Sequence, residues 1–148
     1  MPEFLVDTNV LVYAVEPSPA GKPERARACI VRLGSARNGA LSAQILSEFF
    51  VIATRKVQPP LMFAEAERML SDLDRSWPVY DITSTTVLEA IRAVQRHQFA
   101  YWDALVWATA KLHGIPNVLT EDRPSSGLIE GVRFIDPFDP SFELARLD

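Results

Sequence analysis

Four carboxylates stand where solvent-facing acids are seldom placed: Asp7, Glu48, Asp103 and Asp122. Asp7 ends the apolar run Phe4-Leu5-Val6, and Glu48 interrupts the run Ile45-Leu46-Ser47-Glu48-Phe49-Phe50. Asp103 opens a stretch carrying Leu105, Val106, Trp107, Ala108, Ala110 and Leu112, and Asp122 follows Val118-Leu119-Thr120. Each acid has an ordinary structural explanation. Asp7 or Asn9 suits a helix N-cap, Asp103 suits the positive end of a helix dipole, Glu48 a solvated helical stripe, and Asp122, between Glu121 and Arg123, a polar loop. Taken together they have a chemical one. Carboxylates crowded into one site repel and raise each other's pKa values. A hard cation relieves that repulsion, and an all-oxygen donor set suits Mg²⁺ or Mn²⁺. Such an ion activates water and stabilises charge on a phosphodiester during in-line displacement. No catalytic His or Cys is required.

The elements needed to gather these acids alternate along the chain in the manner of an α/β domain with a parallel sheet. Phe4-Leu5-Val6 predicts a buried strand, with a helix from Asn9 to Val15 directly after it. Pro17, Pro19, Gly21 and Pro23 predict a loop, with Pro23 in the first turn of a second helix that ends near Gly34. Gly39-Ala40-Leu41-Ser42 predicts a short strand whose Ser42 caps a third helix, through Ile45, Phe49 and Ile52. Pro59-Pro60 separates it from a helix over about Met62 to Leu73. A strand over Val79–Ile82 and a helix from Thr83 to His97 follow. Tyr101 to His113 is apolar on nearly every face, the pattern of a buried helix. Gly114 closes it and Pro116 prevents its continuation. Strands are expected at Asn117–Thr120 and Val132–Ile135, and the tail from Pro137 onward is expected to be peripheral. Two acids thus fall at the carboxyl ends of strands, where open α/β sheets place their ligands.

Composition limits the other possibilities. With 148 residues, 48% of them hydrophobic, the chain has the size of one domain able to bury a substantial core. Cys29 is the only cysteine, which excludes an internal disulfide and a cysteine-based zinc site. The opening Met1-Pro2-Glu3 lacks a signal-peptide pattern, and no apolar run approaches the roughly 20 residues of a bilayer span, so a cytoplasmic, soluble protein is expected. The formal net charge of -4 argues against coating nucleic acid by bulk electrostatics, but not against binding a short RNA through a local basic patch. Lys22, Arg25, Arg27, Arg32 and Arg37 around the second helix are candidates for that patch, as are Arg92 and Arg96 on another face. The same residues also read as solvated faces. His97 and His113, each near a helix end, are expected to answer the helix dipole. Phe49, Phe50, Leu61, Met62 and Phe63 read first as core, and otherwise as a dimer surface or a groove for a partner helix.

At the acids the chain resembles the PIN-domain family, and within it the VapC-type toxins of bacterial toxin–antitoxin pairs. Phe4-Leu5-Val6-Asp7-Thr8-Asn9 is similar to the family's strand-Asp-[Thr/Ser]-Asn start. Ser42-Ala43-Gln44-Ile45-Leu46-Ser47-Glu48 resembles its Ser-x-Gln-hydrophobic-x-x-Glu segment, and Trp102-Asp103-Ala104 its buried Asp-Ala helix. Thr120-Glu121-Asp122 resembles its Thr-x-Asp ending, and Gly131 to Phe138 its last strand and turn. The resemblance implies a three-layer α/β/α sandwich with a mainly parallel central sheet, one domain over residues 1–148, and Mg²⁺- or Mn²⁺-dependent endoribonuclease activity. It implies Asp7, Glu48, Asp103 and Asp122 as metal-site acids, with Thr8, Asn9 and Thr120 as polar supports. Either acid of the Glu121-Asp122 pair is placed to reach a metal, and the Thr-x-Asp spacing favours Asp122. An RNA substrate, a cognate antitoxin and a homodimer are the implied partners. A haloacid-dehalogenase-type phosphatase needs a second Asp two residues after the first, where Asn9 stands. A receiver domain needs an adjacent acidic pair near its start, and nucleotide folds with a Gly-rich phosphate loop lack their signature here. The remaining alternative is a PIN-like module that binds RNA or protein without cleaving.

Overall fold

The computed structural model describes residues 1–18 and 21–148; the expected loop at Pro19 lies outside them. Its strands are β1 (Phe4–Val6), β2 (Gly39–Ser42), β3 (Val79–Tyr80), β4 (Asn117–Leu119), β5 (Leu128–Ile129) and β6 (Val132–Ile135). Its α-helices are α1 (Thr8–Val15), α2 (Lys22–Ala36), α3 (Ala43–Arg55), α4 (Phe63–Ser76), α5 (Ser84–His97) and α6 (Tyr101–Leu112). The strands form one sheet in the order β3-β2-β1-β4-β6-β5, parallel except for the β5–β6 pair. Helices cover this sheet to make the three-layer sandwich. Central strands buried on both faces must be apolar throughout; Leu5, Val6, Leu41, Val118 and Leu119 are all fully buried.

The strand order reverses between β1 and β4, and the crevice at such a reversal opens at the carboxyl ends of the strands. Register brings the two ends level: Val6 lies opposite Leu119, and the Asp7 amide donates to the Leu119 carbonyl at 2.9 Å. Helix α3 starts where expected, because the Ser42 hydroxyl accepts from the Ile45 amide. Ile45, Phe49 and Ala53 then recur at four-residue intervals and are buried. In α6 seven consecutive residues, Ala104 to Ala110, are buried, so this helix lies in the core. Gly114, at φ 69°, takes the left-handed conformation that ends it.

Several expectations are corrected. Helix α2 runs through Gly34 to Ala36, and Arg37 at φ 54° turns the chain. A sequence signal for β5 was absent because two residues carry no periodicity; the strand is held from behind by the buried Trp107 indole, which donates to the Ile129 carbonyl at 3.0 Å. The tail is docked rather than peripheral. Phe142 and Leu147 are buried, Arg25 donates to the Phe142 carbonyl, Asn38 to the Leu147 carbonyl, and Arg32 pairs with Asp148. Phe49 is core, whereas Met62 and Phe63 are exposed beside the partly buried Phe50. His97 pairs with Glu130, and His113 meets the Thr109 carbonyl within its own helix turn.

Trp77 packs over two glycines that should respond oppositely to a methyl group. A Cβ on Gly39 would sit 2.4 Å from the Trp77 ring, while one on Gly34 would meet it at 3.5 Å, an ordinary contact. Gly39→Ala is expected to destabilise by about 1–3 kcal/mol through overpacking. Gly34→Ala, inside a helix, is expected to be neutral or to stabilise by up to about 1 kcal/mol. Urea melts of both variants check the contrast.

Candidate active site

Asp7 leaves the end of β1 and caps α1, accepting from the Thr8 amide at 2.7 Å. Its other oxygen accepts from the Thr120 hydroxyl at 2.9 Å, and the residue is only 7% exposed. The cap reading and the site reading therefore describe one side chain. Thr120 itself is fully used: its oxygen also accepts from Asn9 Nδ2 at 2.9 Å and from the Asp122 amide at 3.0 Å. A hydroxyl with both lone pairs engaged has one proton left to give, and that proton goes to Asp7. Asn9 completes the cross-link, its Oδ1 accepting from the Glu121 amide at 3.1 Å.

Glu48 comes in from α3. Its Oε2 accepts from the Thr8 hydroxyl at 2.9 Å and its Oε1 from Gln44 Nε2 at 3.1 Å. Gln44 also donates to the Trp102 carbonyl at 3.1 Å, fastening α3 to the first turn of α6 where Asp103 stands. Among the described residues Asp103 has no hydrogen-bond partner and is half-buried. It lines a cleft of about 340 Å³ together with Phe99, Glu121, Asp122 and Arg123. Asp122 is exposed, with Asn9 Nδ2 at 3.5 Å from its Oδ2. Glu121 is already engaged: Lys22 pairs with it at 2.5 Å and Tyr13 donates to it at 3.0 Å. Both adjacent acids line the cleft, and Asp122 is the one without a cationic partner among the described residues.

Burial pushes the Asp7 carboxyl up to about 6, against the hydrogen bonds from Thr8 and Thr120, and the charges of Asp103 and Glu48 add to the rise. Asp103 is raised by burial first, then by Asp122 and Glu48. These acids therefore sense one another. None of the four pairs with a Lys, Arg or His among the described residues. Nor, among those residues, do three acidic, histidine or cysteine side chains stand close enough to grip an ion as arranged. Threonine, glutamine and asparagine donors bind oxygens of Asp7, Glu48 and Asp122 instead. Their all-oxygen chemistry and lack of a counter-ion fit a hard cation, with side-chain rotation to close on it.

Sequence reasoning quoted Gln44 within a motif without giving it a role. Its signal was available: a polar residue four before Glu48, hence on the same face of an otherwise apolar helix. The basic residues of α2 are spent internally. Lys22 pairs with Glu121, Arg32 with Asp148, and Arg25 and Arg27 donate to backbone carbonyls. Arg92 is bound to Glu89 and Glu130.

Fold and site together define an α/β sandwich with an uncompensated acidic crevice at its switch point. The PIN domain model matches residues 4–124, and this chain belongs to the PIN domain family. Among curated proteins no sequence matches it. Solved structures that it resembles include a DNA-bound VapBC from Salmonella typhimurium, at 21% identity and TM-score 0.67, over 93% of this chain and 99% of that one. A toxin–antitoxin complex from Klebsiella pneumoniae superposes with TM-score 0.66 at 20% identity, over 90% and 96% of the two chains. The Mycobacterium tuberculosis toxin VapC20, described as cleaving the sarcin–ricin loop, gives TM-score 0.64 at 19% identity, over 88% and 98%. Identities this low establish the shared fold. No helix among the described residues is long and apolar enough to cross a membrane.

The electrostatics have a sign that can be measured. Because the folded-state pKa of Asp7 lies above its unfolded value near 3.8, its ionised form costs stability fully above about pH 6. That cost fades as pH falls toward 4. Glu89 and Glu130, held down to about 2 by Arg92, Lys111 and His97, keep their stabilising contribution until pH drops below about 4.5. In EDTA, the native protein is expected to melt higher at pH 5 than at pH 8. Asp103→Asn, which loses a charge and no hydrogen bond, is expected to melt above native at pH 8 and to gain less on acidification. Thermal melts of both proteins at the two pH values test this; a variant no more stable than native at pH 8 contradicts it.

Proposed function

We propose that this protein is a metal-dependent endoribonuclease acting in the cytoplasm as the toxin of a toxin–antitoxin pair. The observation that carries the reading is the set of four acids, Asp7, Glu48, Asp103 and Asp122, at the switch point, none of them paired with a Lys, Arg or His among the described residues. Such a site calls for a positive charge from outside, and phosphodiester hydrolysis is the chemistry that uses one. The fold shared with toxin–antitoxin complexes and with an RNA-cleaving toxin supports it.

In this reading Asp7, Glu48, Asp103 and Asp122 hold Mg²⁺ or Mn²⁺. Held there, such an ion would supply an activated water and offset charge on the phosphate. The chain's own residues set the stage. Thr120 keeps an Asp7 oxygen pinned by its only proton, Thr8 orients Glu48, and Asn9 fixes the loop that carries Asp122. Asp103, without a protein partner, is the acid freest to turn toward an ion or an attacking water.

The partners follow from exposed apolar surface. Met62 and Phe63 at the start of α4 stand open beside a shallow groove with Phe50, Glu67 and Asp74. An antitoxin helix with apolar and basic side chains complements that groove, and a homodimer would cover apolar surface elsewhere on the chain. Light scattering at micromolar concentration is expected to give twice the chain mass.

Purified protein with a structured RNA is expected to cut at few sites with Mg²⁺ or Mn²⁺ and to stop with EDTA. Asp103→Asn is expected to lose activity by about 100-fold or more, and Thr120→Val by about 10- to 100-fold, as the residue orients a ligand. Cells expressing the native protein should cease growth while those expressing Asp103→Asn continue. Full cleavage in EDTA removes the metal mechanism. A native protein that binds RNA and never cuts it identifies a binding module instead.

A further inference from the structure

Next to the acids, Val51 and Ile52 of α3 face Trp102 and Leu105 of α6 across a cavity of about 640 Å³, with Gln44 and Lys56 also in its wall. Trp102 is 61% exposed, although it precedes the seven buried residues of α6 by only two positions. Tyr101 packs edge-on against its indole at 5.2 Å. Its carbonyl is held by Gln44, so the backbone under the ring is fixed. Gln44 is 8% exposed, and while its Nε2 is fully used, its Oε1 is buried without any hydrogen-bond partner. An orphaned buried acceptor is an unfavourable arrangement that a donor from outside relieves. Lys56 is exposed and forms no ion pair among the described residues.

We propose that this cavity is a nucleobase subsite, in which a base of single-stranded RNA stacks on Trp102, donates an edge N–H to Gln44 Oε1, and leaves its phosphate beside Lys56. The inference rests on the ribonuclease reading and supplies its substrate contact. A flat apolar platform binds any base, because every base has a π-face, and the orphan acceptor asks for the N–H that each RNA base carries on its edge. Shared lining favours RNA over a protein occupant. Glu48, one of the four acids, lines this cavity together with Trp102 and Lys56, so a base held here lies next to the acids, with one of its two flanking phosphates beside Lys56 and the other toward them.

Tryptophan fluorescence isolates the event, since Trp77 and Trp107 are 9% and 0% exposed while Trp102 is open. The native protein, with Ca²⁺ present to neutralise the acids, is titrated with a single-stranded oligoribonucleotide of about ten residues. An abasic strand with the same phosphates serves as the comparison. The base-bearing strand is expected to quench strongly and the abasic strand weakly. Anisotropy of labelled RNA is expected to show about tenfold weaker binding by Trp102→Ala, with Trp102→Phe within about threefold of native. Equal quenching by the abasic strand, or native affinity in Trp102→Ala, overturns the subsite. RNA that is cleaved normally and bound equally by Trp102→Ala overturns the subsite alone. Base-dependent quenching without cleavage supports the subsite and removes the nuclease reading. Absence of RNA binding removes both. Loss in Trp102→Ala of a protein inhibitor's affinity, with RNA affinity unchanged, reassigns the surface to a protein and overturns the proposal.

Discussion

The burial of the Asp7 carboxylate without a cationic partner is the constraint around which the molecule is arranged. β1 is the central strand, paired in parallel on both sides, so whatever follows Val6 emerges at the floor of the crevice. Placing an acid there is costly in a low-dielectric setting. Two donors reduce the cost, the Thr8 amide and the Thr120 hydroxyl, and each comes from an element whose position the sheet dictates. Thr120 reaches Asp7 only because β4 lies beside β1 with Leu119 opposite Val6. A slip of one residue in that register would turn the threonine away.

The charges of the chain divide into two populations with different jobs. On one flank Glu89 and Glu130 are bound by Arg92, Lys111 and His97, joining α5 and α6 to the β5–β6 hairpin. Near the crevice mouth Lys22 is held by Glu121 and lies over the Tyr13 and Phe138 rings. These ions are paired and structural. The crevice acids receive only neutral donors: threonine, asparagine, glutamine and backbone amide. Neutral donors orient a carboxylate without cancelling its charge, so the crevice keeps its negative potential. Glu121 lines the same cleft and differs from its neighbours in being paired with a lysine.

Much of this was legible in the chain. The acids were conspicuous because each breaks an apolar pattern, and a broken pattern can be read without coordinates. The strands β1, β2 and β4 and the buried helix α6 were equally plain, because burial on all sides demands unbroken apolar runs. What escaped depends on contacts between distant residues. The strand β5 has two residues, and its existence follows from Trp107 reaching Ile129 from another element. The tail looked peripheral because its prolines and charges suggest solvent. It docks because Phe142 and Leu147 find space beside α2. Spacing favoured Asp122 over Glu121, but it could not foretell that Glu121 is paired with Lys22, 99 positions away. Helix α2 passes Gly34 because Trp77 covers it, which no local propensity records.

The same distinction bears on how an acidic protein would hold RNA. The basic face expected along α2 is not a free face, for its arginines bind Asp148 and the carbonyls of Ala14 and Phe142, so they serve the fold. With a net charge of -4, long-range attraction to a polyanion is unfavourable, and binding energy must come from short-range contacts. Three sources lie in reach of the crevice: the ion proposed for the acids, the open indole of Trp102 and the Lys56 ammonium. All three act on one or two nucleotides rather than on a length of strand. A protein that grips RNA so locally releases few counter-ions, so its affinity depends weakly on salt. It also discriminates by whether a base can be unstacked and presented, which is easiest in loops. On this account selectivity for a particular RNA structure arises because so few nucleotides are gripped, and a substrate competes by exposing one base and one phosphate in the right relation.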